Sequence, residues 1–224
     1  MLQIELVDIS KLFHVGDMTI RAVEGVSLQI EKGDFVSIVG HSGSGKTTLL
    51  SIIGGIIRST SGRMLFEGTD ISTFDDDRLS AYRNRKIGFM FQFASLLPIL
   101  TAKENLLLPG LFGPGEGTAD GKKAEEYLSM VGLSDKIGSY PSQLSGGQQR
   151  RVAIARALMN GPEVILADEP TGDLDEETEA EIMDLFKNLN REHKVTFIFI
   201  THNLHLAGQA HRQVRMGHGV LKEA

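Results

Sequence analysis

The chain has 224 residues, enough for one domain with a full hydrophobic core, or for a core with a subdomain inserted into it. Hydrophobic residues make up 41% and charged residues 23%, which excludes a disordered, collagen-like or coiled-coil chain. The formal net charge of −6 offers no basic field to a nucleic-acid backbone, and the lack of cysteine excludes disulfides, thiolate metal sites and a thiol nucleophile.

The first 40 residues read as extended. Ile4 to Ile9 and Val23 to Ile30 alternate apolar with polar residues, and Glu31-Lys32-Gly33-Asp34 is a turn. Met1-Leu2-Gln3-Ile4-Glu5-Leu6 lacks the charged start and long apolar stretch of a secretory signal. No apolar run approaches the roughly 18 residues of a membrane span. A cytosolic chain is therefore expected, with any membrane role supplied by a partner.

Phe35-Val36-Ser37-Ile38-Val39 is short and apolar, as a buried strand should be, and runs into Gly40-His41-Ser42-Gly43-Ser44-Gly45. Lys46-Thr47-Thr48 then opens a helix through Ile53. Glycines at 40 and 45 followed by Lys and Thr have P-loop spacing, in the strand-to-helix context that the motif requires. Glycines let backbone N–H groups close around phosphate oxygens, and the helix adds its positive dipole end. Lys46 is placed to bridge the β- and γ-phosphates, and Thr47 to ligate Mg²⁺. The loop binds a nucleoside triphosphate.

Further strands are expected at Arg63 to Phe66 and Lys86 to Phe91, with Asp75-Asp76-Asp77 as the acidic start of the helix between them. Residues 93–159 read as helical, with turn-rich punctuation from Pro109 to Gly121. Leu144-Ser145-Gly146-Gly147-Gln148 places a good N-cap and two glycines before a helix running from Gln148 through Leu158. The chain thus holds a second helix start suited to phosphate. Val164 to Ala167 is an apolar strand ending in Asp168 and Glu169. Asp168 suits a Mg²⁺ shell; Glu169, one step along the pleat, points to the other side and could polarise water. A polar helix from Glu176 to Glu192 and a strand from Val195 to Ile200 follow. Apolar strands alternating with helices argue for a mainly parallel sheet covered on both faces, the early strands forming an antiparallel edge or flap.

These motifs together resemble the ATP-binding cassette (ABC) family over essentially the whole chain. The resemblance implies a P-loop NTPase (RecA-like) α/β fold: a mainly parallel core, an antiparallel β subdomain and an inserted α-helical signature subdomain. It divides the chain into a nucleotide-binding core at 1–92 and 160–224 and a helical subdomain at 93–159. It also implies that Gly40 to Thr48 is the Walker A loop and that Asp168 and Glu169 end Walker B. Gln92 matches the Q-loop glutamine that reaches Mg²⁺ and water, and Asp173-Leu174-Asp175 the D-loop. His202 matches the switch histidine, and Phe13 the aromatic that stacks on adenine. Leu144 to Gln148 would cap the ATP of a partner subunit, giving a head-to-tail homodimer around ATP and Mg²⁺.

Within the family, Gly88-Phe89-Met90-Phe91-Gln92-Phe93, the stretch Leu96 to Asn105 and Thr201-His202-Asn203 are similar to the lipoprotein-release and macrolide-exporter group (LolD-like and MacB-like). The implied role is to energise a separate integral-membrane permease from the inner face of the plasma membrane. The alternative is an ATPase driving a non-transporting membrane partner that regulates cell-wall hydrolysis or division. The stretch Arg212 to Gly219 departs from the usual apolar strand, so the end is either divergent or its last strand is poorly formed.

Overall fold

The computed structural model describes residues 1–112, 120–172 and 174–223. The N-terminal alternation builds a hairpin longer than its pattern: β1 (Leu2–Val15) pairs antiparallel with β2 (Met18–Glu31). Register shifts between Leu6 and Leu12 change which residues face inward, so residues beyond Ile9 do not read as strand. β4 (Ser61–Phe66) and the short β5 (Thr69–Asp70) complete a four-stranded sheet in the order β2-β1-β4-β5.

The second sheet has six strands. β3 (Phe35–Val39), β6 (Ile87–Met90), β7 (Val164–Asp168), β8 (Thr196–Thr201) and β9 (Arg212–Gly217) run parallel. β10 (Val220–Glu223) turns back antiparallel on β9, and the order is β10-β9-β3-β8-β7-β6. Every residue of β3 and β8 is buried, which is what a parallel strand covered on both faces needs. Their pleats divide the interior. Val36, Ile38, Ile198 and Ile200 face a core shared with the antiparallel sheet and α1 (Lys46–Ile53). Phe35, Phe197 and Phe199 face the opposite core. There they meet α3 (Ala102–Leu111), α4 (Gly121–Met130), α5 (Gly146–Leu158) and α6 (Glu176–His193).

Asp75 caps α2 (Asp76–Lys86), with Asp76 and Asp77 in its first turn, so the acidic triplet serves the helix dipole as its position suggests. Two expectations need correction. Pro109 lies inside α3 rather than in a turn, in its last turn, and the side-chain amides of Asn84 and Asn160 take up its carbonyl. Gly121 opens α4 behind an Asp120 cap, and residues 113–119 of the expected turn-rich stretch lie outside the described residues. The C-terminal stretch is well formed. Val214 and Met216 are buried while Arg215 is exposed, so β9 reads as polar because one of its faces meets solvent.

Glu163, just before β7, ties three segments together. Its carboxylate takes Lys86, Lys32 at 3.1 Å and the amide of Gln3 at 3.3 Å. Burial alone would push its pKa up. Hydrogen bonds and charge from Lys86 and Lys32 outweigh this and hold the carboxyl at about 2. A depressed carboxyl stabilises the fold above its unfolded pKa of 4.5 and loses that contribution as pH falls toward about 2. Glu163→Gln is therefore expected to cost on the order of 1 kcal/mol at pH 7, after allowance for solvent screening. Urea melts of both proteins from pH 7 to pH 2 should show the gap closing through that window; a gap independent of pH would contradict the ion-pair account.

Candidate active site

β3 delivers the chain into the P-loop with no spare room. Gly45 is the N-cap of α1 in a left-handed conformation, at φ 101°. A Cβ there would lie 2.0 Å from the carbonyl oxygen of Ala22 on β2, and one on Gly40 would lie 2.1 Å from that of Met216 on β9. The turn between β9 and β10 laces the arrangement together. Gly219 N donates to Ser44 O at 3.1 Å, and Gly219 O accepts from Glu24 N at 2.8 Å. Lys46 is buried and its Nζ curls over the loop onto the carbonyls of Gly40 and His41, at 2.8 and 2.9 Å. Ser44 Oγ is buried without a hydrogen-bond partner. An orphaned hydroxyl and a cation resting on carbonyls fit a cradle that takes anionic oxygens.

The loop floors a cavity of about 670 Å³ whose lining brings together Lys46, Thr47, Gln92, Asp168, Glu169 and His202. Gln92, Asp168, Glu169 and His202 come from strand ends or the loops just beyond, and Lys46 and Thr47 from the first turn of α1. Asp168 closes β7; burial pushes its pKa up, a hydrogen bond from Thr47 opposes this, the Glu169 charge raises it and the Lys46 charge lowers it. Glu169 is not the next step of the pleat, as the sequence suggested. It leaves the strand in a left-handed conformation, φ 47°, so both carboxylates line one cavity. His202 Nδ1 lies 3.0 Å from Glu169 Oε2, the imidazole exposed and the carboxylate 16% exposed. Gln92 lies two residues beyond β6, in a loop and not at the strand end itself.

Other candidates are placed differently. Phe13 sits on β1 opposite Ile20; Ile20, Arg21 and Ala22 of β2 line the cavity, and Phe13 is not among the lining residues. No motif in the sequence marked those β2 residues. Thr171, Glu179 and Leu206 also line the cavity and were not singled out; Asn203, of the Thr201-His202-Asn203 triplet, lines it as well. Leu174 reaches the cavity, Asp175 is the N-cap of α6, and Asp173 lies outside the described residues. Ser145 caps α5 in a capping box with Gln148, so the helix begins at Gly146, two residues before the expected start. Leu144 is buried, and none of Leu144 to Gln148 lines the cavity. One chain thus keeps its two phosphate-type helix starts apart.

The slot around Gly45 generates a direct test. Gly45→Ala must displace either β2 or the loop, at an expected cost of about 1–3 kcal/mol. Nucleotide titration should show at least about a tenfold loss of ATP affinity, because the N–H groups of the loop lose their common focus. Unchanged affinity would mean that the close approach to Ala22 does not shape the cradle.

The family described as ABC transporter matches residues 23–172. An ABC transporter ATP-binding protein of Thermotoga maritima is 48% identical over 215 residues, covering 96% of this chain and 92% of its own length. The macrolide export ATP-binding/permease protein MacB of Syntrophobacter fumaroxidans is 46% identical over 221 residues, covering 98% of this chain. The chain spans 31% of that longer protein. Among solved structures, a dimeric post-hydrolysis state of the ATP-binding cassette MJ0796, bound to ADP and Pi, superposes with a TM-score of 0.89 at 42% identity, covering 98% of each chain. The chain belongs to the ABC transporter family, as an ATP-binding and ATP-hydrolysing domain of it.

Proposed function

We propose that this chain binds ATP with Mg²⁺ in the P-loop cavity, hydrolyses it within a head-to-tail homodimer, and thereby energises an integral-membrane permease of the lipoprotein-release or macrolide-export type. The observation that carries the catalytic part is the 3.0 Å contact between Glu169 and His202, beside Asp168 and above Lys46. The P-loop amides and Lys46 take the phosphate oxygens, Lys46 exchanging its two carbonyl partners for them. Phe13, paired across the hairpin with the cavity-lining Ile20, would offer a ring face to adenine. Thr47, Asp168 and Gln92 would hold Mg²⁺, which supplies charge neutralisation for the phosphates. Glu169 accepts the proton of the attacking water. His202, bonded to that carboxylate, fixes its direction and adds a donor toward the transferred phosphate.

The dimer reading follows from the separation of the two helix starts. As the first residues of α5, Gly146 and Gly147 have N–H groups without an acceptor inside the helix, and neither lines the chain's own cavity. A second copy, turned head to tail, would bring Ser145 to Gln148 to the phosphates and Leu174 and Asp175 to the seam. The MJ0796 cassette forms a dimer. Glu169→Gln should keep ATP affinity within about twofold while turnover falls by a factor on the order of 10²–10⁴. ATP-loaded Glu169→Gln should then accumulate as a dimer in gel filtration. Near-normal hydrolysis would remove Glu169 as the base, and a monomer at every ATP concentration would remove the composite site.

No described helix is long and apolar enough to cross a membrane. Membrane attachment then comes through the permease, with the chain at the cytoplasmic face. The loop after Gln92 offers the contact: Phe93, Leu97 and Ile99 are exposed, Leu97 at 45%. This loop is not floppy. Buried Asn105 accepts from Leu97 N at 2.8 Å and donates to the carbonyls of Leu97, Leu100 and Thr101. An apolar surface held rigid in this way suits a protein partner. Leu97→Asp should leave the melting temperature within about 2 °C and basal ATPase intact, as exposed substitutions do. It should abolish co-purification with the co-expressed permease; retained co-purification would place the docking surface elsewhere.

A further inference from the structure

Arg150 is buried in the second turn of α5, one helical turn from the glycines of the signature. Its guanidinium donates to three main-chain carbonyls in two separate segments: Phe91 at 3.0 Å, Gln92, and Gly172 at 3.3 Å. The first two belong to the loop that carries Gln92 into the cavity. The third ends a turn whose own N–H returns to the carbonyl of Glu169 at 3.1 Å. A buried guanidinium is costly unless its donors are aimed, and its planar fork fixes direction as well as distance. Its neighbours on α5 do other things. Arg151 bonds the carbonyl of Val131 and the carboxylate of Glu181, while Arg156 holds the carbonyls of Ala94 and Ser95 further along the loop. Arg150 alone of these three grips the main chain of Gln92.

We propose that Arg150 is a positioning residue for hydrolysis: by gripping the backbone at Gln92 from the signature helix, it sets where the Gln92 side chain enters the cavity. This rests on the reading of Gln92 as a residue that meets Mg²⁺ and water. The physical link is short. The gripped carbonyl is bonded to the α-carbon that bears the side chain, so a shift of about 1 Å at the carbonyl is carried to the amide, and displacements of that size can cost about a hundredfold in rate. The carbonyls that Arg150 is seen to grip belong to the Gln92 loop and to Gly172, not to the P-loop, so nucleotide affinity is expected to change little when it is replaced.

A plain structural staple would look different in a double-mutant cycle. Arg150→Gln, measured on the full chain with MgATP, should lower kcat by about 10- to 100-fold and shift the affinity for a fluorescent ATP analogue by less than about twofold. Placed on a Gln92→Ala background, the same change should lower kcat by less than about twofold, because the side chain it positions is gone. Arg150→Lys keeps the charge without the fork and should recover part of kcat. Should the Gln variant melt below assay temperature, the Lys variant carries the same cycle, and melting curves are recorded for every protein. An equal fold-loss on both backgrounds, or a loss confined to nucleotide affinity, overturns the proposal. A Gln92→Ala protein that hydrolyses normally would instead overturn the role given to Gln92, which separates the two failures.

Discussion

The P-loop occupies a slot too narrow for a side chain, and the rest of the architecture is arranged around that slot. Its two walls belong to different sheets: Ala22 is on the antiparallel β2, and Met216 on the parallel-sheet strand β9. A backbone that must approach two carbonyls within 2.0 and 2.1 Å of where a Cβ would stand can do so only as glycine. That close approach aims the loop amides at one point and holds the start of α1 behind them. The β9–β10 turn then binds both walls to the loop through Gly219. The C-terminal hairpin, the least familiar stretch of the sequence, is thus part of the cradle.

Electrostatics within the cavity follow from what the strands deliver. Asp168 and Glu169 reach the same space because the backbone turns left-handed directly after β7. Burial is the main cost of charging Asp168 and the neighbouring Glu169 charge adds to it, so its pKa is raised. The Thr47 hydroxyl and the Lys46 charge oppose this without cancelling it. A divalent cation beside Asp168, as proposed above, would offset this cost, while Glu169 is paired with His202. The surroundings of the two carboxylates differ: burial and the Thr47 hydroxyl act on Asp168, and His202 lies against Glu169.

Much of this was legible in the sequence where a residue type is dictated by its own backbone or by its strand. The all-apolar runs at Phe35 and Val164 became buried parallel strands, Gly45 became the left-handed cap, and Ser145 and the Asp75 triplet became helix starts. What escaped was set by distant partners. Nothing local marks Ala22 as a wall, since its role is the position of a carbonyl oxygen. Pro109 reads as a turn until Asn84 and Asn160 are seen to take its carbonyl within α3. The polar look of Arg212 to Gly217 hides a strand because only alternate residues, Val214 and Met216, meet the core. Glu169 was misplaced because pleat alternation was extended one residue past the strand's end.

The exposed apolar loop and the catalytic cavity share one segment of chain, and this has a mechanical consequence. Phe93, Leu97 and Ile99 face outward, while Gln92, immediately before them, lines the cavity. Arg150 and Arg156 hold the carbonyls of residues 91, 92, 94 and 95 from one helix, and Asn105 fixes the far end at Leu97 and Leu100. A loop fastened at both ends cannot absorb a push by flexing locally. Under the docking surface proposed above, a push at Leu97 would be passed to α5 through these hydrogen bonds, and α5 begins at the signature glycines. Arg150 bonds the carbonyls of both Gln92 and Gly172, so it ties the loop carrying Gln92 to the turn after Glu169. On that same proposal, occupancy at Leu97 would bear on the chain's own cavity and on the surface offered to a second copy together, since both hang on the same helix.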